Sequence, residues 1–463
     1  VYLGGAWGSI FSYAHGRPLS RRPVSLPYPV TVVFGRPLAT PASAAEVRER
    51  VQELSCEYFD GKKPDRRPLG EEFVTTARRN WRRPAIADTT GKHLTYGRTL
   101  VAAVALAERL KEAVPDDRPN AMVGILLPQS VGAALTNLAV TLRGQVPVNL
   151  NYTASEEAFA SALRQCNISH VLTSRAFLEK LDAAPRLPEA LYVEDFFEEL
   201  ALNPSIKRRA WLRARFARKR RLVQNKEFTA DALATIIFSS GSTGEPKGVM
   251  LSHHNITSNV EALRMLVSPS PEDKLCAVLP FFHSFGFTAT LWYPLLSGFP
   301  AVYHPNPLDG GRIAQMVREH EATLLFSTPT FLMSYIRRAA PEDFASLRLV
   351  IAGAEKLRPR IAESFEKRFG IRPLEGYGTT ELAPVAALNV LSAFEGELGQ
   401  VSHKEGTVGH PIPGVVVRIV DPDSGQPLPT GEAGLMLVKG PNVMRGYLNQ
   451  PDKTTAVLYE GWY

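Results

Sequence analysis

Continuous apolar runs alternate with amphipathic stretches along most of the chain. Runs such as NAMVGILLPQS (residues 120–130), ISHVLTS (168–174) and LRLVIAG (347–353) are rich in Val, Ile and Leu and show no polar alternation. Strands that are buried on both faces of a sheet have this composition. Between such runs, apolar residues recur at helical spacing, as in HLTYGRTLVAAVALAERLKEAV (93–114). The pattern predicts an α/β fold in which helices cover both faces of largely parallel sheets.

The first part of the chain contains one strand and one helix. The segment VTVVF (30–34) predicts a strand. Residues 43–59 predict a helix with Ser43 as N-cap and Glu46 as its capping-box partner. One strand and one helix cannot bury a core, so we expect them to be the end of a larger domain.

Changes in composition divide the chain into three parts. Residues 60–70, DGKKPDRRPLG, combine proline, glycine and charge without an apolar period and predict a linker. This leaves residues 1–59 as a first unit and residues 71–463 as the main domain. After Val408 the main domain changes to short strands and Gly/Pro turns, which are typical of a small β unit. Because the chain begins at Val1 rather than methionine, we expect a fragment.

The composition excludes several protein classes. With 463 residues the chain is too long for one compact core. No run reaches the roughly 18 to 20 apolar residues of a transmembrane helix. Cys56, Cys166 and Cys276 are far apart in sequence, so neither a disulfide framework nor a zinc site is indicated. Buried thiols in a reducing cytoplasm are the expected interpretation.

The positive charge is concentrated in one segment. The net charge is +7, yet Lys207–Arg221 alone holds nine basic residues and no acid. The remainder of the chain is therefore not basic, and a general nucleic-acid-binding surface is not indicated. On a helix, Leu212 and Phe216 would share a face beside Trp211, with arginines around them. This arrangement favours an interfacial anchor on an anionic membrane. The alternatives are a solvated, disordered loop and an RNA-binding segment.

The segment SSGSTGEPKG (239–248) follows the buried strand IIF and contains small and hydroxyl residues with one lysine, Lys247. Gly241, Gly244 and Gly248 would allow positive φ and close approach to a ligand. Successive backbone N–H groups would form an anion-binding nest. The segment does not satisfy the Walker A pattern, because Gly248 follows Lys247. It predicts a phosphate-binding loop; the alternative is an ordinary strand-to-helix turn.

The segment resembles the phosphate loop of the adenylate-forming superfamily, which includes acyl-CoA synthetases, luciferases and peptide-synthetase adenylation domains. Further motifs of that superfamily follow in order, and together they cover roughly residues 66–463: LPFFHSFG (279–286), AGAEKL (352–357), EGYGTTE (375–381) and GPNVMRGYLNQPDKT (440–454). The resemblance implies two doubly wound subdomains and an incomplete small β unit.

The resemblance also implies site residues and cofactors. ATP phosphates would be held by the loop residues Ser239, Ser240, Gly241, Ser242, Thr243, Gly244 and Lys247. The adenine pocket would be formed by Gly353, Ala354, Glu355, Tyr377, Gly378 and Thr379, with Tyr377 stacking on the base. Thr380 would bond the α-phosphate, Glu381 would hold Mg²⁺, and His283 would lie beside the acyl carboxylate; with Lys247 these three are the implied catalytic residues.

These residue types suit the attack of a carboxylate on the α-phosphorus of ATP, because cations and N–H donors must neutralise a crowded polyanion. Magnesium commonly uses one carboxylate together with substrate phosphates. Each residue also has an ordinary alternative. His283 could be a core or surface histidine, Glu381 a first-turn helix acid, and Tyr377 a core residue.

Residues 1–59 contain GAWGSIFSYAHGR (5–17) and LPYPVTVVFGRPL (26–38), followed by EVRERVQEL (46–54). These segments resemble the end of a glycerophospholipid acyltransferase domain of the α/β, HxxxxD type. The HxxxxD motif is absent from residues 1–59, and HPNPLD (304–309) fits it only by count, so we interpret it as coincidence. The fusion resembles bifunctional bacterial enzymes that join an acyl-[acyl-carrier-protein] synthetase to a 2-acylglycerophosphoethanolamine acyltransferase.

That resemblance implies a long-chain fatty acid, acyl carrier protein (or CoA) and a lysophospholipid as partners, no nucleic acid, and a place at the cytoplasmic face of the bacterial inner membrane. It further implies that a ribose-binding aspartate, a hinge and a small domain with a catalytic lysine follow Tyr463. The chain alone should then bind ATP poorly and adenylate slowly or not at all. The alternatives are a long-chain acyl-CoA ligase and a non-catalytic, membrane-associated nucleotide- or lipid-binding remnant.

Overall fold

A computed structural model describes residues 1–6, 29–114, 120–181, 184–223, 229–239, 245–390 and 403–463. The strands are β1 Tyr2–Gly4, β2 Thr31–Val33, β3 Pro84–Asp88, β4 His93–Thr95, β5 Met122–Leu126, β6 Val146–Asn149, β7 His170–Thr173, β8 Glu189–Tyr192, β9 Leu233–Ser239, β10 Lys247–Ser252, β11 Leu275–Ala277, β12 Ala301–Tyr303, β13 Leu324–Ser327, β14 Leu349–Ala352, β15 Leu374–Gly378, β16 Val385–Leu388, β17 His410–Pro411, β18 Val416–Val420, β19 Leu435–Lys439 and β20 Gly446–Tyr447.

The α-helices are α1 Ala44–Gly61, α2 Leu69–Arg79, α3 Tyr96–Ala113, α4 Val131–Leu142, α5 Glu156–Gln165, α6 Arg175–Leu178, α7 Val193–Leu202, α8 Pro204–Phe216, α9 Lys219–Leu222, α10 His253–Val267, α11 Tyr293–Ser297, α12 Gly310–His320, α13 Pro329–Arg338, α14 Pro359–Phe369 and α15 Pro451–Thr455. Short 3₁₀ turns occupy Lys63–Asp65, Pro341–Phe344 and Thr380–Leu382, and a π-helix occupies Gly286–Trp292. Among the helices of the described residues, none combines the length and apolar character needed to cross a membrane.

Two sheets confirm the predicted α/β architecture. The larger has nine strands in the order β17-β16-β15-β14-β13-β11-β12-β3-β4, and its six central strands, from β15 to β3, run parallel. The smaller has the order β6-β5-β7-β8 and is parallel throughout. Helices α12, α13 and α14 cover one face of the larger sheet through buried Ile313, Leu332 and Phe365. Its other face joins the main core, which includes Tyr96 and Trp292.

The apolar run after the glycine-rich segment forms a strand rather than the start of a helix. Strand β10 pairs antiparallel with β9, with Lys247 opposite Ser239. Helix α10 begins only at His253, where the Ser252 side chain accepts from the Asn255 N–H and the Asn255 side chain accepts from the Ser252 N–H. The alternative of a strand-to-helix turn is therefore wrong: the segment connects two strands of a hairpin.

Residues 60–70 are packed onto the main domain. Helix α1 continues to Gly61, and the Ser43 hydroxyl accepts from the Glu46 N–H, which confirms the predicted N-cap. Lys62 and Arg66 both form ion pairs with Glu261 of α10. The domain boundaries themselves stay predictions, but this segment does not extend into solvent.

Helix α1 also contacts the small β unit near the end of the chain. Arg418 of β18 bonds the carboxylate of Glu49 at 2.6 Å and that of Glu53 at 3.1 Å. Gly414 has φ +86°, and a Cβ there would lie 2.7 Å from Cγ of Phe59. The close approach of Phe59 requires glycine at this position, so the first helix and the small β unit are packed as one body.

Candidate functional site

A cavity of about 860 Å³ opens at the carboxyl ends of β13, β14 and β15. Ligand sites of parallel α/β sheets occupy this edge, because the strand ends and the loops after them converge there. The volume lies within the range of roughly 300–1,000 Å³ that is typical of small-molecule sites. Of the residues predicted from the sequence, the following line the cavity: His283, Gly353, Ala354, Glu355, Tyr377, Gly378, Thr379 and Thr380.

The segment assigned to the adenine pocket follows β14. The Gly353 N–H donates to the carbonyl of Ser327, and a Cβ at Gly353 would lie 3.2 Å from the Phe285 ring. Ala354 has φ +68°. Glu355 accepts a hydrogen bond of 2.7 Å from the Thr330 hydroxyl. The left-handed conformation at Ala354 lies within a segment whose three residues, Gly353, Ala354 and Glu355, all line the cavity.

The segment assigned to base stacking begins at the end of β15, where the ladder with β16 is irregular between Tyr377 and Gly378. A Cβ at Gly378 would lie 1.9 Å from the carbonyl oxygen of Pro384, so only glycine is accommodated. Burial and the charge of Glu381 raise the pKa of Tyr377. The half-buried Tyr377 ring borders the cavity, so it is placed where a planar ligand could stack on it.

Thr380 and Glu381 lie in the 3₁₀ turn after this segment but face different surroundings. Thr380 lines the cavity, and its hydroxyl is 3.5 Å from that of Ser284. Glu381 is only 8% exposed and does not line the cavity. The Tyr447 hydroxyl donates to its carboxylate at 2.9 Å. Burial, the charge of Glu381 and this hydrogen bond raise the pKa of Tyr447, so its hydroxyl remains a donor.

Lys247 reaches the same group of residues from the β9–β10 hairpin. Its ammonium nitrogen lies 4.9 Å from the centroid of the Tyr447 ring. Tyr447 therefore touches both the hairpin lysine and the carboxylate of Glu381. Its role was not predicted, although its motif was recognised. The only sequence signal was its place in GPNVMRGYLNQPDKT.

The predicted phosphate loop is only partly described. Ser239 is the last residue of β9, and Lys247 is the first residue of β10. Ser240, Gly241, Ser242, Thr243 and Gly244 lie outside the described residues, so their phosphate-binding role stays a prediction. The interpretation of Gly248 was wrong: it lies inside β10 without positive φ, and a Cβ there would lie 3.2 Å from Ile236 and 3.3 Å from Leu448. Close packing, rather than approach to a ligand, explains this glycine.

Part of the cavity wall is aromatic and apolar. His283 presents an accessible edge to the cavity, while the surrounding protein desolvates its ring and this burial lowers its pKa. The ring of Phe282 lies 4.6 Å from that of His283, and Tyr152 packs edge-on against Phe282 at 4.9 Å. Phe331 and Leu308 complete this wall. Tyr152, Leu308 and Phe331 could not be predicted, because they belong to separate segments with no shared motif. Phe282 lies in the motif LPFFHSFG, but no role was predicted for it.

The donor groups suit a Mg²⁺ ion that arrives with a nucleotide. Within the described residues, no three His, Cys, Asp or Glu side chains cluster in a way that would hold a metal ion. Glu381 supplies one carboxylate, and Mg²⁺ usually completes its oxygen ligands with substrate phosphates and water. The assignment of Glu381 as the protein ligand of Mg²⁺ stays a prediction, because its carboxylate is 8% exposed, does not line the cavity and accepts from the Tyr447 hydroxyl.

The histidine and aspartate of HPNPLD have structural partners. The His304 ring is 2.9 Å from the Thr89 hydroxyl, and its other nitrogen lies 3.6 Å from the Asp309 carboxylate. Asp309 caps the start of α12 by accepting from the Arg312 N–H. These contacts agree with the interpretation of this HxxxxD spacing as coincidence.

Comparison with known proteins identifies the family that this fold and site define. The profile of the AMP-binding enzyme family matches residues 73–448, and the chain belongs to this family. It is 32% identical over 234 residues to a long-chain-fatty-acid–CoA ligase of Bacillus subtilis, covering 50% of this chain and 40% of the relative. It is 26% identical over 420 residues to 4-coumarate-CoA ligase 1 of Narcissus pseudonarcissus, covering 86% of this chain and 72% of the relative.

Solved structures agree with the fold. ATP-bound MatB from Rhodopseudomonas palustris superposes with a TM-score of 0.68 at 25% identity, over 85% of this chain and 75% of that one. The o-succinylbenzoate CoA synthetase MenE from Bacillus subtilis, in complex with AMP, gives 0.69 at 23% identity, over 86% of this chain and 74% of that one. The chain spans less than half the length of the first curated relatives that it matches.

Proposed function

We propose that this protein activates a long-chain fatty acid through an acyl-adenylate and then transfers the acyl group to a thiol. The observation that carries the proposal is one cavity lined by two different groups of residues. Tyr377 and Thr380 line it, with Glu381 next in sequence, and His283, Phe282 and Tyr152 line it with aromatic rings in mutual contact. A nucleotide and an apolar acid would meet in this cavity.

In the first step a carboxylate oxygen attacks the α-phosphorus of ATP, the bond to the β-phosphate breaks, and pyrophosphate leaves with the bonding electrons. In the second step a thiol loses its proton, its sulfur attacks the acyl carbon, and AMP leaves. Mg²⁺, when bound with ATP, would offset the negative charge of the phosphates. Thr380 would bond the α-phosphate, and neutral His283 would orient the carboxylate without adding charge, because burial lowers its pKa.

We propose acyl carrier protein as the thiol acceptor and a lysophospholipid as the final acyl acceptor. Support comes from the resemblance of residues 1–59 to an acyltransferase domain, and the proposed location is the cytoplasmic face of the bacterial inner membrane. CoA is the alternative acceptor, because the relatives reported above are named CoA ligases. An assay that offers both thiols would separate the two acceptors.

The experiment is fatty-acid-dependent exchange of pyrophosphate into ATP, measured on the full-length gene product. We expect exchange with long-chain acids and its loss in Glu381→Ala. The matched control is Glu363→Ala, an exposed glutamate on α14, which should retain exchange. Folded protein that binds nucleotide but shows no exchange with any acid would refute the proposal and favour a non-catalytic binding remnant.

A further inference from the structure

Helix α8 carries most of the basic segment and is fixed to the body of the protein. Ala210 and Ala214 are fully buried, and the helix packs against α3. Arg213 forms a 2.6 Å ion pair with Glu108 of α3. The guanidinium of Arg78 donates to the carbonyls of Ala214 at 2.7 Å and Ala217 at 2.6 Å. These bonds satisfy carbonyls at the end of the helix, so the alternative of a disordered, solvated loop is wrong for this stretch.

The exposed surface of α8 combines apolar and basic side chains. Trp211, Leu212 and Phe216 are 42%, 45% and 68% exposed. The rings of Trp211 and Phe216 meet edge-on, 5.8 Å apart. Lys207, Arg208 and Arg215 are exposed around them. We call these six side chains the α8 face.

Positive charge continues beyond the α8 face. The pKa of Lys219 is lowered by partial burial and by the charges of Arg67, Arg78 and Arg79, which outweigh the opposing charge of Glu71. Glu108 offsets part of this charge, because it pairs with Arg213 and lies 3.9 Å from Arg209. A negatively charged partner would complement the basic side chains that remain exposed.

The α8 face suits a lipid surface better than a nucleic acid or an acidic protein. Interfacial helices place Trp, Phe and Leu at the boundary of headgroups and acyl chains while Lys and Arg bond lipid phosphates. The Arg215 guanidinium lies between the rings of Trp81 and Phe216, 5.6 and 5.7 Å from their centroids. This arrangement keeps its charge at the level of the aromatic rings. A basic segment that is only exposed to solvent would not need exposed Trp and Phe side chains, whereas an interfacial helix uses them.

We propose that the α8 face binds the headgroup layer of an anionic membrane. The proposal does not depend on acyl-adenylate formation, because binding to lipid can be measured without turnover. It places the protein at a membrane surface through a rigid helix rather than through a membrane-spanning one.

The test is flotation of the purified chain with two kinds of vesicle, phosphatidylcholine alone and phosphatidylcholine with a quarter of phosphatidylglycerol. We expect binding to the anionic vesicles only, and weakening as salt approaches 1 M, where the screening length falls to about 3 Å. Each Lys or Arg near an anionic surface contributes roughly fivefold to partitioning. Lys207→Gln with Arg208→Gln should therefore weaken binding by up to about thirtyfold.

Controls separate charge, apolar contact and folding. Arg337→Gln with Arg338→Gln removes the same charge from exposed positions on α13 and should leave binding within about twofold, because long-range attraction is screened. Trp211→Gln with Phe216→Gln should weaken binding at least about tenfold. Trp211→Phe should retain most binding but lose quenching by brominated lipid.

Several outcomes would overturn the proposal. They are equal binding to both vesicle types, no binding by folded protein, or equal losses in the α13 control and the α8 variants. Binding of acyl carrier protein or RNA through the same residues, without vesicle binding, would assign the face to that partner instead. Normal pyrophosphate exchange with no vesicle binding would remove this proposal and leave the proposed function intact.

Discussion

Tyr447→Phe tests whether the contact between Tyr447 and Glu381 matters for catalysis. The change removes one hydroxyl and leaves the ring beneath Lys247, whose nitrogen is 4.9 Å from its centroid. The lost hydrogen bond is 2.9 Å long and ends on a carboxylate that is 8% exposed. Hydrogen bonds to charged groups contribute about 1.5–3 kcal/mol. If that energy orients Glu381 toward the nucleotide, pyrophosphate exchange should fall by roughly 10- to 150-fold.

The assay is kcat/KM for exchange as a function of ATP and Mg²⁺ concentration, together with urea unfolding. Leaving a buried carboxylate without its donor costs about 1–3 kcal/mol of stability. Tyr447→Leu removes the ring contact with Lys247 as well, so its loss of stability should exceed that of Tyr447→Phe by about 0.5–2 kcal/mol. Tyr459→Phe is the matched control, because Tyr459 is 73% exposed in the same part of the chain. Unchanged exchange and stability in Tyr447→Phe would refute the reasoning.

Two further predictions concern packing and charge. Gly378→Ala should abolish pyrophosphate exchange and destabilise the protein by more than about 2 kcal/mol, because the added methyl group overlaps the carbonyl of Pro384 and forces the backbone to move. Gly311→Ala is the control for urea unfolding, because a Cβ there would have no atom within 4 Å. Equal stability of the two variants would contradict this prediction. In Glu261→Gln, the free energy of unfolding should fall less steeply than in the wild type as the pH is lowered. Burial alone would raise the pKa of Glu261, but its two basic partners hold that pKa below its usual range. The stabilisation is therefore present above the unfolded pKa of about 4.3 and is lost as pH falls through the folded pKa. Urea unfolding as a function of pH checks this, and a pH dependence identical to that of the wild type would count against it.

The sequence predicted the parallel sheets and part of the cavity wall. Continuous apolar runs mark strands buried on both faces, and the motif with Gly353 directly follows such a run, LRLVIA. The chain itself therefore places Gly353 at the carboxyl end of a strand. The residues before Tyr377 and Thr380, IRPL, are not such a run, so these two residues were assigned only through the family resemblance. Periodicity could not predict the second hairpin strand after the glycine-rich loop, because a short apolar run such as VMLS fits a strand or a buried helix equally well.

Contacts between distant segments were decided only by the tertiary structure. Tyr447 and Glu381 are 66 residues apart, and no local pattern in either segment indicates the other. The aromatic wall formed by Tyr152 and Phe282 likewise joins separate segments. For α8, the sequence determined that basic and aromatic residues occur together. The packing of Ala210 and Ala214 against the body decided which side of the helix faces outward, because only burial distinguishes the two sides of a helix that is basic over most of its circumference.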